Sequence, residues 1–298
     1  MINLPGGLDV NNLIDDLISF SWEAADILLS YSDINKNSKQ KINILKNKNN
    51  ADPVTLADLE VNELIIKRIN EKYKNINWEI LSEENYKINN NFNRNKDWLW
   101  VLDPLDGTKD FIQGTGNYAM HLALNYKQKP FIGIVLIPEK DELWISNGKE
   151  LWCEKRNGGI LKQSISEKNS LQEMTIVSSK NHNNEILKNL IEKINFKKII
   201  VMGSIGCKVA SIIRGESDIY IALSLPNKRA PKDWDFAAPE AILKAAGGSI
   251  TNIDNVDLGY GRNDLQHPGI IVASNDKQNH KSICSQIKEI IEKYAIYP

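Results

Sequence analysis

Hydrophobic positions recur at helical intervals through residues 9–31. Leu13, Leu17, Trp22, Ala25 and Leu28 share one face there, with Asp15 and Asp16 on another, and the spacing predicts a helix. A Lys- and Asn-rich stretch, 33–51, reads as a solvated connection or a short strand pair. The segment 52–58 leads into a second helix ending near Tyr73, with Val61, Ile65, Ile69 and Tyr73 as its apolar stripe. The period then changes. Residues 78–82 and 98–102 are short apolar runs of the buried-strand type. Residues 118–126 alternate, with Met120, Leu122, Leu124 and Tyr126 on one face. A polar turn at 127–130 leads to strands over 131–137 and 142–145, which are antiparallel hairpin signals. His121 falls on the opposite face of its strand and is expected to be a partly buried structural histidine, with no second histidine near it to complete a metal site. After a polar stretch at 155–172, strands at 174–178, 198–202 and 218–222 alternate with helices at 184–194 and 209–215. An Ala- and Leu-rich helix that starts at Asp235 stops at Gly247-Gly248. The pattern predicts an α/β protein: an α+β N-terminal half over 1–160 with an antiparallel sheet, and an α/β C-terminal half over 161–298.

Composition changes this picture little. With 298 residues, 42% hydrophobic and 25% charged, the chain has the make-up of an ordinary globular protein with ample material for a core. A net charge of −1 gives no global electrostatic case for nucleic acid or a membrane surface as partner. No apolar run approaches the roughly 18 residues of a membrane span. The first residues carry neither the basic region nor the apolar core of a signal peptide. Cys153, Cys207 and Cys284 are widely spaced, which suits a reducing compartment and argues against a zinc site. A cytoplasmic location is expected.

The chemistry is concentrated where the polar positions interrupt apolar runs. The strand from Trp98 to Leu102 ends in Asp103-Pro104-Leu105-Asp106-Gly107-Thr108. An Asp-Gly pair alone is an ordinary surface turn. Two acids closing an apolar strand instead suit a hard cation, with backbone carbonyls adding oxygens, while the amides of Gly107 and Thr108 can hold a phosphate oxygen if they open a helix. Three other acidic segments have plain structural readings of their own. Thr55 and Asp58 stand at capping-box spacing. Glu83 and Glu84 follow a short strand, and on extended backbone at most one of them faces a given site. Asp235 can serve as a helix N-cap. They acquire a function only by converging on Asp103 and Asp106. The Asn-rich stretch 87–97 reads as a solvated loop.

Asp103–Thr108 (D-P-L-D-G-T), Ser82–Glu84 (S-E-E), Thr55–Asp58 (T-x-x-D), Trp234–Ala241 (W-D-x-x-A-P-E-A) and the Ala245–Gly248 ending together resemble the inositol monophosphatase superfamily, in the same order and over roughly residues 50–275. Gly107–Phe111 (G-T-K-D-F), the 179–182 segment and Gly203–Lys208 are closest to its 3′(2′),5′-bisphosphate nucleotidases, from which Asn181 and Cys207 depart. The resemblance implies a layered α-β-α-β-α sandwich. It implies that Glu83, Asp103, the Leu105 carbonyl, Asp106 and Asp235 hold two or three Mg²⁺ ions, and that Asp58 hydrogen-bonded to Thr108 activates water for in-line attack. Glu83, Leu105, Asp106, Gly107, Thr108 and Asp235 would meet the scissile phosphate. His182, Lys208 and Lys232 would meet the distal phosphate or base, although a solvated basic face explains those three equally well. The implied substrate is a small phosphate ester, adenosine 3′,5′-bisphosphate, hydrolysed to AMP and phosphate by a monomer rather than a homodimer. Inositol or sugar phosphates, such as fructose 1,6-bisphosphate, are the alternative within the family, and a non-catalytic metal-binding relative is the alternative outside catalysis.

Overall fold

The computed structural model describes residues 3–37, 44–45, 54–89, 92–158, 168, 170–179 and 185–297. In chain order the elements are α1 (Val10–Asn37), β1 (Ile44–Leu45), β2 (Val54–Thr55), α2 (Leu56–Lys72), β3 (Glu79–Ser82), α3 (Glu83–Asn89), β4 (Trp98–Asp106), α4 (Thr108–Gln113), β5 (Ala119–Tyr126), β6 (Lys129–Ile137), β7 (Glu142–Ser146) and β8 (Leu151–Glu154). They continue as β9 (Thr175–Ser179), α5 (Glu185–Ile194), β10 (Lys198–Met202), α6 (Ile205–Ile213), β11 (Ile219–Ser224), α7 (Asp233–Ala245), β12 (Ser249–Asn252), β13 (Gly269–Ser274) and α8 (His280–Tyr294).

Strands β3 to β8 form one sheet in chain order, antiparallel throughout except for the parallel β3–β4 pair. The β5–β6 hairpin turns on Lys127 and Gln128 with φ of 46° and 64°, the doubly left-handed geometry whose twist matches that of the strands it joins. The second sheet runs β10-β9-β11-β13-β12, parallel over its first three strands and antiparallel beyond.

Period-two alternation decides which face meets which helix. From β4 and β5, Trp98, Trp100, Leu102, Leu122 and Leu124 pack with Leu13 and Leu17 of α1 and Ile65 and Ile69 of α2. Leu99, Val101 and Ala123 point the other way, into a core with Val209 of α6, Phe236 and Ile242 of α7, and Tyr220, Ile250 and Ile271 of the second sheet. The outer face of that sheet offers Ile176, Ile219, Ile221 and Val272 to α5 and α8. The expected α-β-α-β-α layering is therefore present, with α6 and α7 as the shared middle layer. Close approach fixes that layer: a Cβ on Gly133 of β6 would lie 2.3 Å from the Cβ of Ala241 on α7.

Several boundaries differ from the expected ones. The first helix runs on to Asn37, and the strand-pair reading of 33–51 survives only as β1, which pairs with β2; residues 38–43 and 46–53 lie outside the described residues, as does much of the polar 155–172 stretch. Helix α6 begins at Ile205 rather than Val209 because Ser204 caps it, its hydroxyl accepting the Cys207 amide at 3.2 Å. Glu83 and Glu84 open a helix, α3, instead of ending an extended segment, and this helix takes up the start of the Asn-rich stretch.

Candidate metal centre

Residues three apart on a regular strand face opposite ways, so Asp103 and Asp106 would be separated by the sheet. They are not, because β4 carries an irregularity. Asp103 pairs with His121 and Asp106 with Ala119, so three steps on β4 match two on β5. This β-bulge at Pro104-Leu105 restores both carboxylates to the α6/α7 side while Leu105 turns into the α1/α2 core. The Leu105 amide donates to Asp103 Oδ1 at 3.0 Å and fixes that side chain.

Asp106 is held from a hundred residues away. Its Oδ2 accepts the Ser204 hydroxyl at 2.7 Å, the Ile205 amide, and the Gly206 amide at 3.4 Å, so the start of α6 clasps it. His121 lies on its other flank, with Nε2 3.4 Å from Asp106 Oδ2 and Nδ1 3.2 Å from the Trp234 carbonyl. The expected partial burial of His121 is corrected: it is 1% exposed, and burial lowers its pKa against the opposing pull of Asp106. It sits wedged between one acid and the helix turn that carries another.

Gly107 follows with φ of 88°, and a side chain there would bring a Cβ to 2.9 Å from the Asn117 carbonyl and 3.2 Å from the Ser204 amide. Thr108 starts α4, and its hydroxyl donates to the Leu105 carbonyl at 3.1 Å. The resemblance implied a Thr108–Asp58 hydrogen bond, and the structure has a different arrangement. Asp58 is the third residue of α2, where it closes a capping box by accepting the Thr55 amide at 2.8 Å and the Thr55 hydroxyl at 2.5 Å. Both hydroxyls serve nearby oxygens. Burial nevertheless pushes the Asp58 carboxyl up to about 7, against the lowering effect of Thr55 and with a further push from Glu84 and Glu83.

Asp235 arrives from the second half of the chain. It is the third residue of α7 rather than its N-cap, and its Oδ2 accepts the Lys232 amide at 2.6 Å. Ligand oxygens of Asp103, Asp106 and Asp235 come within 4.8 Å of one another. Burial, then Glu83, Asp106 and Asp235, hold the Asp103 carboxyl well above the usual range. Burial, then Asp106 and Glu83, push Asp235 up to about 8. Glu83 is close enough to act on both, although it lies outside the trio and pairs with the Lys87 ammonium at 3.0 Å. Like charges crowded in a dry place are stabilised by a cation, and an all-oxygen donor set suits a small hard dication. The residues present fit Mg²⁺.

Lys208, on α6, completes the surroundings. It is 3% exposed with its ammonium 5.0 Å from the centroid of the Tyr220 ring, and among the described residues it meets no carboxylate. Burial lowers its pKa, opposed by Asp106. An unpaired buried cation beside an acidic centre suits an anionic ligand. Lys232 lies over the Trp234 and Tyr86 rings, 4.8 and 5.5 Å from their centroids. His182 lies outside the described residues. Sequence reasoning missed Ser204 and His121; the glycine-flanked Ser204 carries a helix-start signal, whereas nothing local to His121 reveals its contact with Asp106.

His121 bears on the geometry of Asp106 rather than on the chemistry itself. In His121→Ala protein, half-saturation by Mg²⁺ is expected to need about 10–100-fold more metal, the usual cost of losing a group that orients a ligand. His121→Asn should recover part of it. Calorimetric Mg²⁺ titration checks this, and unchanged affinity in the alanine variant would show His121 to be packing only.

Five layers around a cluster of carboxylates, with Asp103 and Asp106 on a bulged strand and Asp235 on the middle helix layer, define a recognisable class of α/β protein. The chain belongs to the inositol monophosphatase family, whose family model matches residues 9–292. A Buchnera aphidicola protein named 3′(2′),5′-bisphosphate nucleotidase CysQ is 33% identical over 227 residues, covering 75% of this chain and 80% of that one. An Escherichia coli protein of the same name is 25% identical over 265 residues, covering 88% and 99%. Among solved structures, a Thermotoga maritima IMPase superposes with a TM-score of 0.73 at 22% identity, covering 95% of this chain and 99% of its own. CysQ from Bacteroides thetaiotaomicron, described as a bacterial member of the inositol monophosphatase family, gives 0.67 at 23% identity, covering 88% and 97%.

Proposed function

We propose that this protein is a Mg²⁺-dependent phosphomonoesterase that removes the 3′-phosphate of adenosine 3′,5′-bisphosphate, giving AMP and phosphate. The observation that carries the reading is the convergence of Asp103, Asp106 and Asp235 near Lys208, which makes no ion pair among the described residues. The names borne by the Buchnera and E. coli relatives support the nucleotide over other esters.

Asp103, Asp106, Asp235, Glu83 and the Leu105 carbonyl would hold Mg²⁺. When bound, the metal supplies a Lewis acid that offsets phosphate charge and favours attack by water. The chain's own residues do the rest. The amides of Gly107 and Thr108 stand at the start of α4, where they can orient a phosphate oxygen. Asp58, poised at about 7, has the affinity of a proton acceptor working near neutrality, and the Thr108 hydroxyl would join it in handling the attacking water only by leaving the Leu105 carbonyl. Lys208 and His182 would contact the nucleotide away from the reacting ester.

The test is phosphate release with Mg²⁺ from adenosine 3′,5′-bisphosphate, inositol 1-phosphate and fructose 1,6-bisphosphate. The nucleotide is expected to lead by at least about tenfold in kcat/KM, a margin that about 1.4 kcal/mol of added binding supplies. A lead for inositol 1-phosphate overturns the substrate. No release from any of the three overturns catalysis.

A further inference from the structure

Asp235 is carried by a helix that is weakened just behind its first turn. Pro239 lies inside α7 and has no N–H, so the Asp235 carbonyl, four residues earlier, loses the bond that position would donate. The proline ring also crowds that carbonyl, which is how an interior proline bends a helix. The turn that aims Asp235 at Asp103 and Asp106 is thus tied to the rest of α7 by one bond fewer. Its direction has to be fixed from outside the helix.

The loop joining β12 to β13 supplies contacts on both sides of Pro239. Ahead of the proline, Asp233 is fully buried, its Oδ2 accepting the Gly261 amide at 2.5 Å and its Oδ1 lying 3.0 Å from His267 Nε2. Backbone bonds stitch the same segments together. The Asp233 amide donates to the Leu265 carbonyl at 3.0 Å, and the His267 amide donates to the Pro231 carbonyl at 2.8 Å. Lys232 makes an isolated β-bridge with Gln266. Behind the proline, the Tyr260 hydroxyl donates to Glu240, which is also fully buried. The His267 ring packs against both Tyr260 and Phe236, its centroid 5.2 and 5.8 Å from theirs. The loop therefore spans the weakened point of α7 as a splint.

We infer that Asp233 and His267 form a positioning pair that sets the direction of Asp235 through the first turn of α7. Residues two apart on an α-helix are turned by about 200°, so positions 233 and 235 face nearly opposite sides. Asp233 is gripped by Gly261 and His267 while Asp235 faces the other two acids. A twist of this turn that swings Asp235 out of the trio must also break the grip on Asp233, and the grip opposes it. Removing the Asp233 carboxylate leaves the Gly261 amide and the imidazole without that acceptor in a buried place, which loosens the loop as well as the turn. The inference rests on the proposed reading of the acids as a Mg²⁺ site. It concerns how firmly that site is held, not which ester it serves.

The test is calorimetric Mg²⁺ titration of wild-type protein, Asp233→Ala and Asp233→Asn, joined to amide hydrogen exchange on the metal-free proteins. Asparagine keeps an acceptor for the Gly261 amide and offers a donor that the other imidazole tautomer accepts. Asp233→Ala is expected to need about 10–100-fold more Mg²⁺ for half-saturation, the scale of losing a group that orients a metal ligand, and Asp233→Asn should recover most of it. Exchange over residues 233–238 should quicken in the alanine variant, while 241–245, beyond Pro239, keep their protection. If Asp233→Ala fails to fold, His267→Ala takes its place, since it leaves the Gly261 bond intact, and both readings should shift the same way. Wild-type Mg²⁺ affinity in the folded alanine variant, or no recovery in Asp233→Asn, overturns the inference. If the wild-type protein binds no Mg²⁺, it is the metal reading that fails, and the pair is judged by exchange alone. Quickening confined to 233–238 then upholds it, and uniform or unchanged exchange overturns it.

Discussion

Asp106→Asn protein is expected to fold and to release phosphate about 10²–10³-fold more slowly than the wild type, the penalty typical of removing one preorganised electrostatic group. Folding is retained because the clasp on this side chain needs an acceptor, not a charge. Ser204, Ile205 and Gly206 all donate to one oxygen, Oδ2, and the amide oxygen of asparagine can accept from the same donors. The other position then holds an NH₂ group facing Asp103 and Asp235, where it repels a cation and offers no lone pair. Mg²⁺ affinity should fall together with rate. Thermal denaturation, calorimetric Mg²⁺ titration and phosphate release on one preparation check the three parts, and unchanged release would remove Asp106 from the proposed machinery.

The second large effect is on stability and has the opposite sign from the effect on activity. Asp235 is pushed up to about 8 in the folded chain and titrates near 3.9 when unfolded. Between those values the folded chain keeps a proton that the unfolded chain releases, so metal-free stability falls as pH rises from about 4 to about 8. Asp103, whose carboxyl is also raised, adds to the slope in the same direction. Asp235→Asn removes one buried charge and keeps an acceptor for the Lys232 amide. The metal-free variant should be more stable than wild type at pH 8 by about 1–4 kcal/mol, the range seen when poorly compensated buried charges are replaced. It should match wild type at pH 4 and lose phosphate release. In wild-type protein, saturating Mg²⁺ should flatten the pH slope. Urea denaturation at several pH values, with and without Mg²⁺, measures all of this. A wild-type slope that rises with pH would contradict the crowding described here.

The layers were legible because they are written as periodicity: a 3.6-residue stripe in α1 and α2, alternation in β5, and strands trading with helices after 174. The acids were legible because carboxylates at the ends of apolar runs are hard to explain locally. Three features had no local signature. The β4 bulge depends on how β5 registers against it. The clasp on Asp106 joins positions about a hundred apart in sequence. Thr55 and Asp58 follow their capping-box spacing literally, and that spacing says nothing of where the Thr108 hydroxyl points. Strands β12 and β13 and helix α8 were not anticipated; β12 and β13 are short, and the pairing of β13 with β11 and of β12 with β13 is set by tertiary contacts.

The position of α7 in the middle layer has a consequence for how the protein comes into being. During synthesis the N-terminal sheet is finished long before residue 235 exists, so a nascent chain already carries Asp103 and Asp106 without the acid that closes their cluster. Neither Asp235 nor the Ser204 clasp on Asp106 is in place until α6 and α7 have docked between the two sheets. Closure of the acidic trio is thereby tied to completed assembly. A growing or half-folded chain carries two of the three acids without the third.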